Sequence, residues 1–352
     1  MKRLTLLVST LLFSLNALGN QSCLDKGTIL SGSIMLNKDC KVNGTLIINK
    51  KDTVLNCNGA TINGLNENDF GILISGENLS NILVENCNII NFNKSGVRVT
   101  SGEKDFINAG NHAEKYRVSP KKVKINNVYV RNIGRVGVYF DDYVSQSELV
   151  NSRIINTGGP ALYLEHSSKE NVIENNVFSR DNVDLFKRRV PAVAIDSSAD
   201  NVIRYNVFNW SGDGVYLYKN CGEHYSSGKS VIRWQHADNN LIEQNTFQGG
   251  KIAIWIASRQ SKNLAKWDCG DKSMRGEGVY YPDFANHNYI LKNKIIDFDF
   301  GIRIEGDNNI VNGNEFHSVK REIMIPESKR GEILGLPPVG NIVDNKEEAW
   351  KK

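Results

Sequence analysis

The sequence predicts an all-β solenoid, a stack of short-stranded coils with capped ends. Three observations predict it: a recurring six-residue Asn phrase, a four-residue Gly phrase between its copies, and a composition that disfavours helix. The 352-residue chain has 30 Gly but only 4 Met and 7 Pro, with a marked excess of Asn. Asn prefers turns and left-handed positions to helix interiors. At 40% hydrophobic and 23% charged, with net charge +4, the chain is neither collagen, coiled coil, polytopic membrane protein nor disordered segment.

At the N-terminus, Lys2 and Arg3 precede an uncharged apolar run from Leu4 to Leu18, and Ala17-Leu18-Gly19 offers a small-residue cleavage site. Residues 1–19 read as a secretory signal, too short for a stable bilayer anchor. The mature protein is therefore expected in the periplasm or outside the cell, with no integral membrane segment. Two of the 43 basic residues leave with the signal, so 41 stand against 39 acidic ones. That near-neutral balance points away from nucleic acid. Six cysteines remain: Cys23, Cys40, Cys57, Cys87, Cys221 and Cys269. An even number in an exported chain reads as disulfides, and the absence of Cys-x-x-Cys gives no zinc or redox motif. Cys57 and Cys87 fall in equivalent positions, as a stacked pair or as thiols filling the core. Cys221 and Cys269 lie in two long insertions that they would tie together.

The Asn phrase, Asn-apolar-Ile/Val-x-x-Asn, occurs at 81–86, 127–132, 171–176, 201–206, 240–245, 288–293 and 309–314, with a degenerate copy from Glu148. Spacings from 127 onward are 21, 23, 30, 39, 48 and 21, so the unit is 21–23 residues and longer gaps hold insertions. The Gly phrase, Gly/Ala-apolar-x-apolar, falls at 71–74, 96–99, 137–140, 161–164, 192–195, 214–217, 253–256 and 301–304. Both alternate with period two and read as short strands with one buried face. No coil can bury its face alone, so the stack forms the core. Stacking also accounts for the Asn, which can hydrogen-bond rung to rung and occupy left-handed turns.

Between the apolar positions of the Gly phrase, one side chain per coil points outward. From the third copy on, that column reads Tyr139, Tyr163, Ala194, Tyr216, Trp255 and Arg303. The next outward column reads Asp141, Glu165, Asp196, Tyr218, Ala257 and Glu305. Beyond it come Asp142, His166, Ser197, Lys219 and Ser258, then Tyr143, Ser167, Ser198, Asn220 and Arg259. An aromatic stripe beside an acidic column, bordered by His166, Lys219 and Arg259, suits a sugar polymer: rings stack on C–H faces and polar groups take the hydroxyls. The alternative is that aromatics favour strands and outward acids are solvated. The Asn-phrase face is expected to be short or mixed outside, with Ile173, Ile203 and Ile242 flanked by Glu174, Arg204 and Glu243. Insertions at about 102–121, 181–190, 220–238 and 260–286 border the Gly-phrase sheet, where loops carry function.

The phrasing resembles the right-handed parallel β-helix repeat family, which includes pectate lyases, polygalacturonases, alginate epimerases and NosD-type periplasmic proteins. The resemblance runs from about Thr45 to Asn345. It implies one right-handed parallel β-helix over 45–318 between caps at 20–44 and 319–352, in place of the two domains that length alone implies. Residues 213–220 look like the active strand of many β-helix polysaccharide enzymes. Phe140-Asp141-Asp142-Tyr143 departs from the Asp-Pro-His-Asp run of the epimerases, and the Gly-His-Gly and Arg-Ile-Lys runs of polygalacturonases are missing. Lys219 and Arg259 are loosely similar to the Lys/Arg pair of chondroitinase B-like lyases. Asp213 reads as a cap of the turn before its strand.

The expected function is action on an acidic polysaccharide, first by β-elimination. That reaction needs a carboxylate neutraliser, a base and an acid. Arg259, or calcium held by Asp141, Glu165 and Asp196, would neutralise, and Lys219, His166 or Tyr216 would move protons. Tyr139, Tyr163, Tyr216, Tyr218, Trp255, Asn220 and Arg303 would bind substrate. C5-epimerisation needs the same parts. Hydrolysis would use Asp141, Glu165 or Asp196 as a pair, about 5–5.5 Å apart for retention or about 6.5–9.5 Å for inversion. A monomeric, non-catalytic glycan binder or NosD-like accessory protein is the other class.

Overall fold

The computed structural model describes residues 23–102, 111–180, 189–220, 233–257, 285–327, 331–332, 335–344 and 346–348. The signal segment, Cys221, Cys269, Ser258 and Arg259 lie outside the described residues.

Each coil lays down three short strands that pair in parallel with their counterparts in the next coil. One column runs through Lys121–Asn126, Glu148–Val150, Val172–Glu174, Val202–Arg204, Leu241–Glu243 and Tyr289–Leu291. A second runs through Tyr129–Ile133, Arg153–Thr157, Val177–Arg180 and Val207–Trp210. The Gly phrase builds the third, through Ser95–Thr100, Val136–Phe140, Leu162–Leu164, Pro191–Asp196 and Asp213–Tyr218. Thr246–Ile256 and Lys294–Ile304 each run through the second and third columns unbroken.

The apolar halves of all three columns face one core. Phe178, Phe208 and Phe247 stack in it with ring centroids 5.1 and 4.4 Å apart. Each such buried ring contributes about 1.5–3 kcal/mol relative to exposure. The Gly phrase opens on a small residue because coils meet closely there. A Cβ on Gly137 would stand 2.5 Å from the Ala161 carbonyl oxygen. Ile173, Ile203 and Ile242 belong to this core and are fully buried, which corrects their expected outward placement. In each of these three-residue strands the middle residue points in, and Glu174, Arg204 and Glu243 alternate outward.

The Asn residues divide into two structural kinds. Asn171, Asn201, Asn240, Asn288, Asn309 and Asn341 form a buried ladder, each amide donating to the next Oδ1 at 2.9–3.1 Å. Asn176, Asn206, Asn245, Asn293 and Asn314 form a second, at 3.0 Å per rung. The residue before each rung takes the left-handed turn, as at Asn175 with φ 56° and Asn308 with φ 56°. Asn127 is of that turn kind, with φ 50°. The 127–132 phrase is therefore out of register with its later copies: its strand, Tyr129–Ile133, lies in the second column. Ser147 and Ser152 hold the ladder positions in that part of the stack, donating their backbone N–H to Asn171 and Asn176.

Cys57 and Cys87 are disulfide-bonded with Cα atoms 4.8 Å apart, and Cys23 bonds Cys40 at a Cα separation of 5.2 Å. Strands Ile29–Leu30, Ser33–Met35 and Lys41–Asn43 already pair with the following coil, so the segment read as an N-terminal cap supplies the first coil. At the other end Lys346–Glu348 pairs antiparallel with Asn341–Val343, closing that sheet edge. Among the described residues, no helix is long and apolar enough to cross a membrane.

Candidate functional site

The outward column of the Gly-phrase sheet is in the register that the alternation predicts. Arg98, Tyr139, Tyr163, Ala194, Tyr216, Trp255 and Arg303 are successive partners. Tyr139 and Tyr163 stack at 5.3 Å, with the Arg98 guanidinium 5.2 Å above the Tyr139 ring. Ala194 interrupts the column. Beyond it Tyr216 meets Trp255 edge-on at 4.7 Å, and Arg303 covers Trp255 at 5.1 Å. This floor lines a cavity of about 760 Å³ that Tyr218, Asn220 and Glu165 also reach. Lys94, Arg98, Arg135 and Arg189 stand along it. An adjoining cavity of about 520 Å³ shares Arg189, Tyr216 and Trp255 and adds Lys251 and Arg303.

The acidic column sits deeper, and each of its members is matched by cations or donors. Asp141 accepts Arg98 Nη2 at 2.6 Å and faces His166 Nδ1 at 2.5 Å. Burial opposes its ionisation, but the His166 and Arg98 charges prevail and hold it down to about 2. Burial likewise disfavours the His166 cation, yet Glu165 and Asp141 raise it to about 9. Asp142, next along the turn, is pushed up to about 7 by burial and by the Asp141 charge, against the opposing effects of His166 and the Thr100 hydroxyl. Glu165 takes Arg233 Nη2 at 2.5 Å, the Tyr139 hydroxyl, and the Tyr163 hydroxyl at 3.1 Å. Burial favours its neutral form, but the His166 and Arg233 charges keep it below the usual carboxylate range. Asp196 accepts Asn220 N at 2.8 Å, Asn220 Nδ2 at 2.6 Å, Ser197 Oγ at 3.0 Å and the Tyr163 hydroxyl at 2.8 Å.

A third group sits at the cavity wall. Asp213 is buried at the start of its strand. It accepts Arg189 Nε, the Tyr216 hydroxyl at 2.5 Å, and the Ile252 backbone N–H of the next coil at 2.9 Å. Its side chain thus binds the neighbouring coil and the groove rather than its own turn. Arg189 Nη2 also donates to the Tyr216 hydroxyl at 2.9 Å.

Residues 70–231 match the family model described as a right handed beta helix region. The chain folds as a right-handed parallel β-helix. Three solved structures are similar to the chain. An alginate lyase from Paenibacillus sp. str. FPU-7 is 11% identical with a TM-score of 0.50, over 84% of this chain and 89% of that one. A surface adhesin of Streptococcus pneumoniae is 12% identical with a TM-score of 0.49, over 84% and 73%. A DFA-IIIase from Arthrobacter chlorophenolicus A6 is 12% identical with a TM-score of 0.40, over 89% and 84%. At such identities the likeness is one of fold alone. No curated protein sequence matches the chain.

The β-helix brings Asp141, Glu165, His166 and Asp196 together beneath Tyr139 and Tyr163. It places Lys219 elsewhere: that side chain is buried and outside both cavity linings, and with burial it helps lower His236 to about 4. Arg303 and Trp255 share Glu305, at 2.5 and 3.1 Å. Among the described residues, the donors grouped tightly enough for a metal are Asp141, Glu165 and His166, within 4.8 Å of one another, with His166 where Asp196 was expected. Their oxygens are engaged by Arg98, His166, Arg233 and two tyrosine hydroxyls, and calcium prefers six to eight oxygen ligands. This donor set does not fit calcium. Arg98 escapes a column read from the third Gly phrase on, although it holds the outward position of the second. Arg189 sits at the end of an insertion, where no register announces it.

Proposed function

We propose that the chain is an exported carbohydrate-active protein that binds an acidic polysaccharide in this groove and cleaves it by β-elimination. The observation that carries the reading is the run of Lys and Arg side chains along a stacked aromatic floor, while the carboxylates below are drawn into ion pairs and hydrogen bonds. Such a surface offers ring faces to sugars and N–H donors to their hydroxyls and carboxylates. Two disulfides fit an oxidising compartment.

Of the three proton carriers expected from the sequence, His166, Lys219 and Tyr216, Tyr216 is the one that lines the cavity. In the proposed reaction Arg189 neutralises the uronate carboxylate. Tyr216 passes its hydroxyl proton to Asp213 and takes the proton from C5. The C4–C5 double bond forms as the glycosidic C–O bond breaks. Tyr216 then protonates the leaving oxygen and recovers its own proton from Asp213, so protons and electron pairs balance. Burial first, then Asp213, raises the Tyr216 hydroxyl above the ordinary tyrosine value, so it rests protonated.

The test is a panel of alginate, pectate and chondroitin polymers read by ultraviolet absorbance of unsaturated ends and by reducing-end assay, with Tyr216→Phe alongside. Unsaturated ends from the wild type, lost with binding retained in Tyr216→Phe, are expected. Reducing ends without unsaturation would indicate hydrolysis, and tight binding with neither product would leave a glycan binder.

A further inference from the structure

An aromatic cluster stands beside the groove and takes no part in the reaction described above. Trp234 is 46% exposed, unusual for so large a ring. One face stacks on His112 at 4.3 Å and 18°. His112 lies near-parallel to Tyr143 at 6.0 Å, and its Nδ1 is 2.8 Å from the Tyr143 hydroxyl. Tyr116 meets Tyr143 edge-on at 4.9 Å and donates its hydroxyl to the Ser167 carbonyl at 2.6 Å.

The chain on both sides of Trp234 is anchored. Arg233 is bound to Glu165, which lines the groove, and the Gln235 backbone N–H donates to Ser167 Oγ at 3.1 Å. The indole is thus held one residue from a groove contact while staying nearly half exposed. Holding an exposed ring in place removes the entropy that a mobile side chain would lose on binding. Charges of both signs lie nearby: Lys169 Nζ is 4.7 Å from the Tyr116 ring and 2.7 Å from Glu170 Oε1, and the buried Lys115 Nζ is 5.3 Å from the Tyr143 ring.

We infer that Trp234, stacked on His112, is an outer binding site for one anionic pyranose ring of the polymer held in the groove, which therefore continues past Glu165 over the end of the sheet. The inference rests on the proposed acidic-polysaccharide reading. The indole takes the C–H face of the ring, as an exposed aromatic side chain can.

The experiment is isothermal titration of the full chain and of Trp234→Ala and Trp234→Phe with alginate, pectate and chondroitin oligosaccharides from trimer to decamer. In Trp234→Ala, long oligomers are expected to bind roughly three- to tenfold more weakly while trimers bind as to wild type, and Trp234→Phe keeps most of the affinity. Equal affinity of wild type and a correctly folded Trp234→Ala for the longest oligomers overturns the outer site but leaves the groove reading standing. A wild type that binds none of the oligomers overturns the groove reading, and the outer site with it.

Discussion

Replacing Asn206 by alanine would break five hydrogen bonds in the core. Its Oδ1 accepts Asn176 N at 2.9 Å and Asn176 Nδ2 at 3.0 Å, and its amide donates toward Ile173 O, Arg204 O and Asn245 Oδ1 at 2.9, 2.9 and 3.0 Å. Some partners survive the change. Asn176 Nδ2 keeps Leu149 O at 2.8 Å, and Asn245 Oδ1 keeps the backbone N–H of position 206 at 2.9 Å. The Asn176 backbone N–H is left buried without its acceptor, and Ile173 O loses a donor. At about 1–3 kcal/mol for each unsatisfied buried group, the expected loss is about 2–4 kcal/mol. Urea unfolding followed by circular dichroism measures it. The control is Asn127→Gly, which keeps the left-handed turn and removes one exposed bond to Asn86 at 2.7 Å, for an expected cost under about 1 kcal/mol. Equal losses in the two variants would refute the assignment of stability to the buried rungs. Asn206→Asp keeps the acceptor but turns an ionisable oxygen toward three others. The introduced carboxyl has its pKa raised by folding, so this variant should lose stability as pH rises from about 4 toward neutrality.

Removing Arg233 strands the buried Glu165 carboxylate, so Arg233→Ala should cost about 3–5 kcal/mol in the same unfolding assay, and a loss below about 1 kcal/mol would deny the pair its role. Around His166 three signs combine. Asp141, held at about 2, stabilises above its ordinary value and loses this as pH falls toward 2. His166, raised to about 9, stabilises below its ordinary value and loses this as pH rises toward 9, and Asp142, raised to about 7, does the same between its ordinary value and 7. Melting temperatures of wild type minus those of His166→Gln should therefore decline between neutrality and pH 9, and a rising difference would contradict the pairing. Arg98→Ala should weaken binding of anionic oligosaccharides and flatten its salt dependence, read by titration at two ionic strengths; an unchanged salt slope would remove Arg98 from the groove's charge. Losing the Cys57–Cys87 link in Cys57→Ala/Cys87→Ala should cost about 2–4 kcal/mol, read by urea unfolding against wild type.

Period-two alternation carries the fold and the site's main column. Tyr139, Tyr163, Tyr216 and Trp255 can be aligned because residues between buried neighbours must face out. Alternation fails where the strand ends. His166 and Ser197 take left-handed backbone, with φ 49° and 53°, so counting residues past the strand no longer says which way a side chain points. Such counting puts Lys219 in the groove, whereas it lies buried outside both cavities. The phrase at 127–132 misleads for a different reason: the same letter, Asn, serves both as a buried rung and as a turn residue, and no local pattern separates them. Arg189 and Trp234 lie within insertions, outside any repeat, so only three-dimensional proximity reveals them.

The ladder has a mechanical consequence for how such a molecule can vary. Along the first column the chain between rungs spans 30, 39, 48, 21 and 32 residues, yet the rung length stays within 2.9–3.1 Å. Rise along the axis is metered by amide groups, not by residue count. A corner can therefore lengthen or shorten without shifting the strands above and below it, which leaves the borders of the groove free to be rebuilt on an unchanged chassis.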